Sequence, residues 1–220
     1  MAERYVYRFN AYNYTYERIL VNFEWMAGFT VNQKQKSIEN LHHSFLKIYP
    51  NDSILEVSSK SKDKLGTQLS AFNLIVKTKN NYNFSVEQLF QASKVFKNSG
   101  SQQELLTLGL DSRDIKRKIR EINENDQLIS FELFGNEFPL EPKTYFYNWL
   151  YIQALHRNKL LSKKVREFNA FTDIELNHKK SFNSQAEACS IYVWLCETNQ
   201  IENALQDKTN FKNIVYKRGY

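Results

Sequence analysis

The sequence of 220 residues is poor in the residue types that build disulfide-stapled and metal-bound proteins: two cysteines, three prolines, six glycines and four histidines. Cys189 and Cys196 are seven residues apart in a segment predicted to be helical. Their Cα atoms would be about 10 Å apart, too far for a disulfide, and a shared helical face predicts two buried thiols. The histidines form no HExxH pattern and lie near no CxxC pair, so we expect neither a metal nor another cofactor.

Long apolar runs are also missing. None approaches the roughly 20 residues that a membrane-spanning helix needs. The first residues, Met1 to Tyr5, lack the basic segment and apolar stretch of a signal peptide. We therefore expect a cytoplasmic protein with no membrane partner.

The chain is instead rich in aromatic and basic residues. Hydrophobic residues make up 42% and aromatic residues 15% of the sequence, enough for a sizeable core. The net charge of +6 permits a polyanionic partner. Lysine is abundant together with Asn, Ile, Phe and Tyr, as an AT-rich genome also produces, so both interpretations of the charge stay open.

The order of periodic segments predicts an α+β fold, a single predominantly helical domain with a small, mainly antiparallel sheet. No linker or internal repeat divides it, and we assign an N-terminal hairpin extension (1–25), a core (26–205) and a C-terminal segment (206–220). Strands are predicted at residues 4–9, 19–25, 54–57, 69–76 and 128–134, the last turning back at Gly135. Helices are predicted at residues 30–47, 86–96, 112–121, 142–157, 160–168 and 184–198.

The segment from Ser85 to Phe96 carries the most informative pattern. On a helix at 100° per residue, three apolar residues share one face: Leu89, Ala92 and Phe96. Three polar residues form a narrow stripe on the opposite face: Glu87, Gln91 and Lys94. A solvated face is usually wider, so the stripe fits either an ordinary surface or the wall of a cleft.

This segment resembles the T-V-E-H-x-F-Q-A-x-K-F signature of the NADAR (YbiA-like) superfamily. Gln88 replaces the His of this signature, and Ala71 replaces the Asn of the superfamily's upstream L-S-N-F-Y segment, which residues 69–73 resemble. A W-G-x-G element before Asn183 is missing. The chain is more similar still to the NADAR antitoxins encoded beside DarT-type DNA ADP-ribosyltransferases, over about residues 20–205. The motifs of that branch lie, in order, at residues 23–38, 58–61, 69–74, 90–96, 140–151 and 170–175.

The resemblance implies an ADP-ribosylglycohydrolase that cleaves the N-glycosidic bond between ADP-ribose and guanine in modified nucleic acid. Its expected partners are ADP-ribosylated DNA and a DarT-type toxin, whose action it would reverse as an antitoxin. Two alternatives stay open. One is an N-glycosidase acting on small phosphorylated intermediates, such as those of riboflavin synthesis, and the other is a non-catalytic module that binds ADP-ribose or the toxin.

Glu87 and Lys94 are the catalytic candidates under this hypothesis. The glycosidic bond breaks through an oxocarbenium-like state, which a carboxylate near the anomeric carbon stabilises or supplies with activated water. A lysine in a dry cleft loses its proton more readily and attacks an aldehyde carbon. Lys94 could therefore form a Schiff base at C1″ of the ring-opened ribose, or supply positive charge near the leaving base or the phosphates.

Further residues are predicted to bind the ligand. The loop at residues 58–61 offers hydroxyls, backbone N–H groups and a cation, which suit a diphosphate or a plain solvated turn. The predicted ADP-ribose contacts are Ser59, Lys60, Ser61, Ser70, Phe72, Asn73, Gln91, Trp149, Asp173 and Asn183. The predicted nucleic-acid contacts are Lys116, Arg117 and Arg120, for which a solvated helix face is the alternative.

Overall fold

The computed structural model describes residues 1–178 and 181–216, and more of these lie in helices than in strands. The helices are Val31–Leu46 (α1), Lys64–Leu69 (α2), Val86–Ala92 (α3), Ser112–Asn125 (α4), Tyr145–Arg157 (α5), Lys159–Val165 (α6), Gln185–Glu197 (α7), Ile201–Gln206 (α8) and Lys208–Tyr216 (α9). The strands are Ala2–Asn10 (β1), Thr15–Phe23 (β2), Ile54–Glu56 (β3), Ile75–Lys77 (β4), Asn83–Ser85 (β5), Lys94–Phe96 (β6), Gly100–Ser101 (β7), Leu128–Leu133 (β8), Asn136–Phe138 (β9) and Ala170–Thr172 (β10). The predicted α+β class, with more helix than strand, is confirmed.

The chain divides into two compact units. We call residues 71–154 the central unit, and the described residues on either side of it, 1–70 and 155 onward, the N/C unit. One boundary falls between Ser70 and Ala71 and the other lies inside α5, between Ala154 and Leu155. Neither boundary is rich in proline or glycine, so the sequence carried no linker signal for the division.

The N/C unit contains a four-stranded sheet in the order β2-β1-β10-β3. The hairpin of β1 and β2 is confirmed, and β1 also pairs with β10, so the N-terminal hairpin is part of the sheet. Helix α1 begins with a capping box in which the Thr30 side chain accepts the Gln33 amide hydrogen. The core between α1 and the sheet consists of Val6, Val21, Phe23, Ile38, Leu41, Phe45, Ala170 and Ile174.

Strands β3 and β10 pair in parallel, with Glu56 opposite Thr172. Their carboxyl ends therefore lie at the same edge of the sheet, and the segments that follow them emerge side by side. Helix α2 packs closely on this edge at Gly66. A Cβ atom on Gly66 would lie 2.0 Å from the Glu56 carbonyl oxygen, so only glycine permits the approach.

The central unit contains a two-stranded sheet, β4-β5, and a four-stranded sheet, β7-β6-β8-β9. Strands β8 and β9 form the hairpin predicted at Gly135. An aromatic cluster fills the space between α3, the larger sheet and α5. Its members are Phe90, Phe131, Phe138, Tyr145, Phe146 and Tyr147.

Two predicted elements are wrong. Helix α3 ends at Ala92 and not at residue 96, because residues 94–96 pair with β8, with Lys94 opposite Phe131. The strand predicted at residues 69–76 is replaced by the end of α2, a turn and β4. The turn satisfies the first amides of α3, since the carbonyls of Ala71 and Leu74 accept the N–H groups of Glu87 and Val86 at 2.9 Å each.

The start of α5 and the burial of the two cysteines differ in part from the predictions. Helix α5 begins at Tyr145, three residues after the predicted start at Pro142, whose carbonyl accepts the Tyr145 amide hydrogen. Cys189 is buried as expected, whereas Cys196 is only half-buried. In the part of the chain that the structure describes, no helix is both long and apolar enough to cross a membrane.

Candidate active site

The amino-terminal end of α3 is tied to that of α4 by a hydrogen-bonded cap. The Ser85 hydroxyl accepts the Gln88 amide hydrogen at 3.1 Å, and the Gln88 side-chain oxygen accepts the Ser85 amide hydrogen at 2.8 Å. The Gln88 side-chain nitrogen also donates to the Leu110 carbonyl at 2.9 Å, and the hydroxyls of Ser85 and Ser112 are 2.8 Å apart. Gln88, which occupies the position of the superfamily histidine, is therefore a structural cap in this chain.

The predicted polar stripe on α3 is buried and internally hydrogen-bonded. Glu87 and Gln91 are each only 6% exposed. The Gln91 side-chain nitrogen donates to Glu87 Oε1 at 3.0 Å, and the Lys94 ammonium donates to Gln91 Oε1 at 2.7 Å. The structure thus joins the two catalytic candidates through Gln91, although Lys94 lies on β6 and not on the helix.

Lys116 of α4 completes this arrangement. Its Nζ lies 3.0 Å from Glu87 Oε1 and 5.4 Å from the centre of the Phe72 ring. Glu87 Oε1 therefore takes both contacts, and Glu87 Oε2 has no hydrogen bond from any described residue. We call Glu87, Gln91, Lys94 and Lys116 the Glu87 cluster. The sequence carried no signal for the ion pair, because it depends on how α3 packs on α4.

Burial lowers the pKa of the Lys94 ammonium to about 8. The Glu87 carboxylate opposes this shift, and the positive charge of Lys116 adds to it. With a pKa of about 8, about a tenth of the Lys94 side chains carry a neutral amine at pH 7. The geometry therefore supplies a nucleophile at near-neutral pH beside a carboxylate.

Gln91 and Lys94 open onto a cleft of about 410 Å³ that runs along α4. Among the predicted nucleic-acid contacts, Arg117 pairs with Asp114 at 2.8 Å and Arg120 has no ion pair with a described residue. The remaining wall of the cleft consists of residues of α4: Arg113, Lys116, Arg117, Ile119, Arg120 and Asn123. The cleft is therefore strongly cationic along one side.

The other predicted contacts of the central unit are Phe72, Asn73 and Trp149. Phe72 is half-buried and lies against Lys116, as described above. Asn73 is exposed in the turn before β4, and Trp149 is half-buried on α5. Of the three, Phe72 has a described contact with the Glu87 cluster.

In the N/C unit, the parallel strands β3 and β10 bring Ser59, Lys60 and Ser61 close to the segment that contains Asp173. The Ser59 hydroxyl donates to Glu175 Oε2 at 2.9 Å. The amide hydrogens of Lys60 and Ser61 are donated to the Ser58 hydroxyl and carbonyl, each at 3.2 Å. Three of the donors predicted to hold a diphosphate are thus bonded within this edge of the sheet.

A buried acid, Glu56, lies beneath the same edge, and no pattern in the sequence indicated it. It accepts hydrogen bonds from the Ile174 amide at 2.9 Å and the Thr172 hydroxyl at 2.6 Å. Burial raises the pKa of Glu56, and these hydrogen bonds partly offset the rise. Burial and the neighbouring carboxylates Glu56 and Glu175 also raise the pKa of Asp173 well above its ordinary value. The protonated form of Asp173, which can donate a hydrogen bond, therefore persists to higher pH than that of an exposed aspartic acid.

Ser70 and Asn183, the last two predicted contacts, also belong to the N/C unit. Ser70 is buried at the end of α2, and Asn183 is half-buried just before α7. The Ser70 hydroxyl and Asn183 Oδ1 are both buried without a hydrogen-bond partner among the described residues. Within residues 1–178 and 181–216, no group of three or more His, Cys, Asp or Glu side chains is arranged to hold a metal ion.

Comparison with known proteins identifies one family. The family model for DarT1-associated NADAR antitoxins matches residues 2–219. The match includes the Glu87 cluster and the edge of the sheet formed by β3 and β10. A comparison with curated proteins finds no match to this chain.

Proposed function

The chain belongs to the family of DarT1-associated NADAR antitoxins, and we propose that it is an N-glycosyl hydrolase that removes ADP-ribose from guanine in modified DNA. The observation that carries this proposal is the Glu87 cluster, in which a buried carboxylate is joined through Gln91 to a lysine whose pKa is lowered to about 8. A protein that only binds ADP-ribose needs no neutral amine beside a carboxylate. Cleavage of the bond between ADP-ribose and guanine would reverse the modification made by a DarT-type toxin.

Lys94 is the nucleophile in this mechanism. Its neutral amine attacks C1″ of ADP-ribose as the bond from C1″ to the guanine nitrogen breaks, and the leaving base takes one of the two protons on the attacking Lys94 nitrogen. The ribose ring then opens at the C1″–O4″ bond, O4″ takes the proton of the lysine nitrogen, and a Schiff base forms. Water adds to C1″ and releases ADP-ribose, which restores the Lys94 amine.

Glu87 stabilises positive charge at C1″ and activates the water in this mechanism. Gln91 and Lys116 both contact Oε1, which leaves Oε2 without a bond from a described residue and available to water or the ribose. Gln91 Oε1 also accepts a hydrogen bond from the Lys94 nitrogen, so the Gln91 side chain sets the distance between the Glu87 carboxylate and the Lys94 amine. We assign Gln91 and Lys116 as positioning residues for this chemistry.

The predicted ADP-ribose contacts of the N/C unit remain part of the proposal. The Asp173 carboxyl and the unpartnered groups of Ser70 and Asn183 suit ribose hydroxyls or the edge of a base. The hydroxyl of Ser59 and the amides of Lys60 and Ser61 are already bonded, so we expect the Lys60 ammonium to be the main group of this loop for a phosphate.

The test is incubation of the pure protein with oligonucleotides that carry ADP-ribose on guanine or on thymine, followed by mass measurement of the products. We expect free ADP-ribose and an intact oligonucleotide from the guanine substrate, and no release by the Lys94→Ala variant. Cleavage of small phosphorylated N-glycosides in preference to the oligonucleotide would favour the small-molecule alternative. Binding of ADP-ribose without release from any substrate would show a non-catalytic module.

A further inference from the structure

We propose that three arginines of α4 bind the phosphate backbone of the nucleic-acid strand that carries the modified base. We call Arg113, Arg117 and Arg120 the arginine face. This inference rests on the proposed function, because it assigns part of the substrate to a surface beside the Glu87 cluster. It replaces Lys116, one of the predicted nucleic-acid contacts, with Arg113.

The spacing of the three arginines places them on one side of α4. They are separated by four and then three residues, which is the repeat of a single helical face. All three line the cleft onto which Gln91 and Lys94 open. Ile115 and Ile119 are buried and hold the helix in place, so the arginine face has a fixed position beside the cluster.

Two charges of this face, those of Arg113 and Arg120, are available to a ligand, whereas the charge of Lys116 is engaged with a buried carboxylate. Lys116 is paired with Glu87 at 3.0 Å. Arg113 and Arg120 form no ion pair with a described residue, and Arg117 pairs with the half-buried Asp114. A guanidinium presents a planar fork of N–H donors that matches phosphate oxygens, so three arginines in a row favour phosphates as the ligand.

The length of the face suits a nucleic-acid strand better than a single diphosphate. At about 1.5 Å of rise per residue, the distance along the helix from Arg113 to Arg120 is about 10 Å. Phosphates follow one another at about 3.4 Å along the axis of each strand of B-form DNA, so the face spans about three of them. A diphosphate would engage only part of it.

Lys118 provides a matched control on the same helix. It lies between Arg117 and Arg120 in the sequence but lines a different cleft, which also contains Asn98, Ser99 and Asp126. Its replacement removes one positive charge from α4 without touching the arginine face. General electrostatic attraction to α4 would make Lys118 as important as any of the three arginines, whereas a specific surface would not.

The experiment measures binding of a fluorescent, unmodified single-stranded oligonucleotide by anisotropy over a series of salt concentrations. Each phosphate contact contributes about 0.7 to the slope of log K against log salt for a single strand. We expect the R113Q/R117Q/R120Q variant to lower that slope by about 2, and R120Q alone by about 0.7. K118Q should leave the slope unchanged. A cooperative thermal unfolding transition shows that each variant is folded. If the triple variant does not fold, the salt dependence of R120Q alone tests the inference.

Three results would overturn the inference: an unchanged slope in folded arginine variants, an equal loss of slope in K118Q, or a loss of affinity for free ADP-ribose with the slope intact. The last result would assign the arginines to the diphosphate of the ligand. Release of ADP-ribose from a modified nucleoside tests the proposed function separately. If release is absent but the arginine variants lower the slope, the binding surface is supported and the glycohydrolase is not.

Discussion

The Lys116 ammonium lies 3.0 Å from Glu87 Oε1, the same oxygen that accepts the Gln91 amide hydrogen. One carboxylate oxygen is thus held from two directions, by a neighbouring residue of its own helix and by a cation of α4. The other oxygen has no bond from a described residue. A lysine that the sequence placed with the nucleic-acid contacts therefore belongs to the catalytic machinery in the proposed mechanism.

The first prediction separates catalysis from stability. Glu87→Gln and Lys94→Ala should each reduce turnover by at least about 100-fold, the low end for a lost acid–base or nucleophilic group. Neither change removes apolar core volume, so thermal unfolding should change little. Leu89→Ala is the contrasting variant, since Leu89 is fully buried and its truncation should cost about 2–5 kcal/mol.

Borohydride added during turnover tests the role of Lys94 directly. It should reduce the Schiff base and attach ADP-ribose to β6, where a peptide mass would locate it. Lys94→Ala should form no adduct. Full activity of Lys94→Ala would leave water activated by Glu87 as the nucleophile, and full activity of Glu87→Gln as well would show that the Glu87 cluster is not the active site.

The second prediction is a pH dependence. The nucleophile is the neutral amine, whose fraction grows as the pH rises through the Lys94 pKa of about 8. We expect kcat/KM to rise about tenfold between pH 7 and well above pH 8 and then to level off. Lys116→Met removes a positive charge that lowers this pKa, so the midpoint should move to higher pH.

Lys118→Met is the control for that shift, because Lys118 lines a different cleft. Its midpoint should equal that of the wild type. A rate that stays flat from pH 7 to 9 would mean that the protonation of Lys94 does not control the reaction, and a rate that falls would mean that its ammonium form is the active one. Lys94 would then supply positive charge and not a nucleophile.

The third prediction concerns Gln88. Gln88→Ala removes the reciprocal half of the cap on α3 and the hydrogen bond to the Leu110 carbonyl, and we expect a loss of about 1–2 kcal/mol. Gln33→Ala removes the equivalent side chain from the capping box of α1, where the Gln33 side-chain oxygen bonds no described residue other than Thr30. Urea unfolding should therefore show a smaller loss for Gln33→Ala, and equal losses would contradict the role of Gln88 in joining α3 to α4.

The fourth prediction concerns Gly66. An added methyl group would lie 2.0 Å from the Glu56 carbonyl oxygen and 2.4 Å from the Ser61 hydroxyl, so α2 or β3 must move. We expect Gly66→Ala to lower the free energy of unfolding by about 1–3 kcal/mol. Gln68→Ala, at an exposed position of the same helix, should be nearly neutral. An unchanged midpoint of urea unfolding for Gly66→Ala would show that the packing of α2 does not depend on this close approach.

The features determined by the sequence alone are those whose causes lie within a few residues. Thr30 and Ser85 cap helices because each side chain bonds an amide only three residues away. The hairpins at β1–β2 and β8–β9 follow from period-two alternation and a turn. The motifs that resemble NADAR antitoxins were likewise readable in order, and the family match over residues 2–219 confirms the resemblance.

Only the tertiary structure decided what Lys94 and Lys116 contact. The helical periodicity of the sequence continues through Lys94. The helix nevertheless ends at Ala92, because residues 94–96 form backbone hydrogen bonds with β8, where Lys94 pairs with Phe131. The periodicity of α4 showed which of its residues share a face and not what that face contacts. Lys116 pairs with Glu87 because α3 and α4 are joined at their caps. Contacts between segments that are distant in the sequence cannot be predicted from the local spacing of residues.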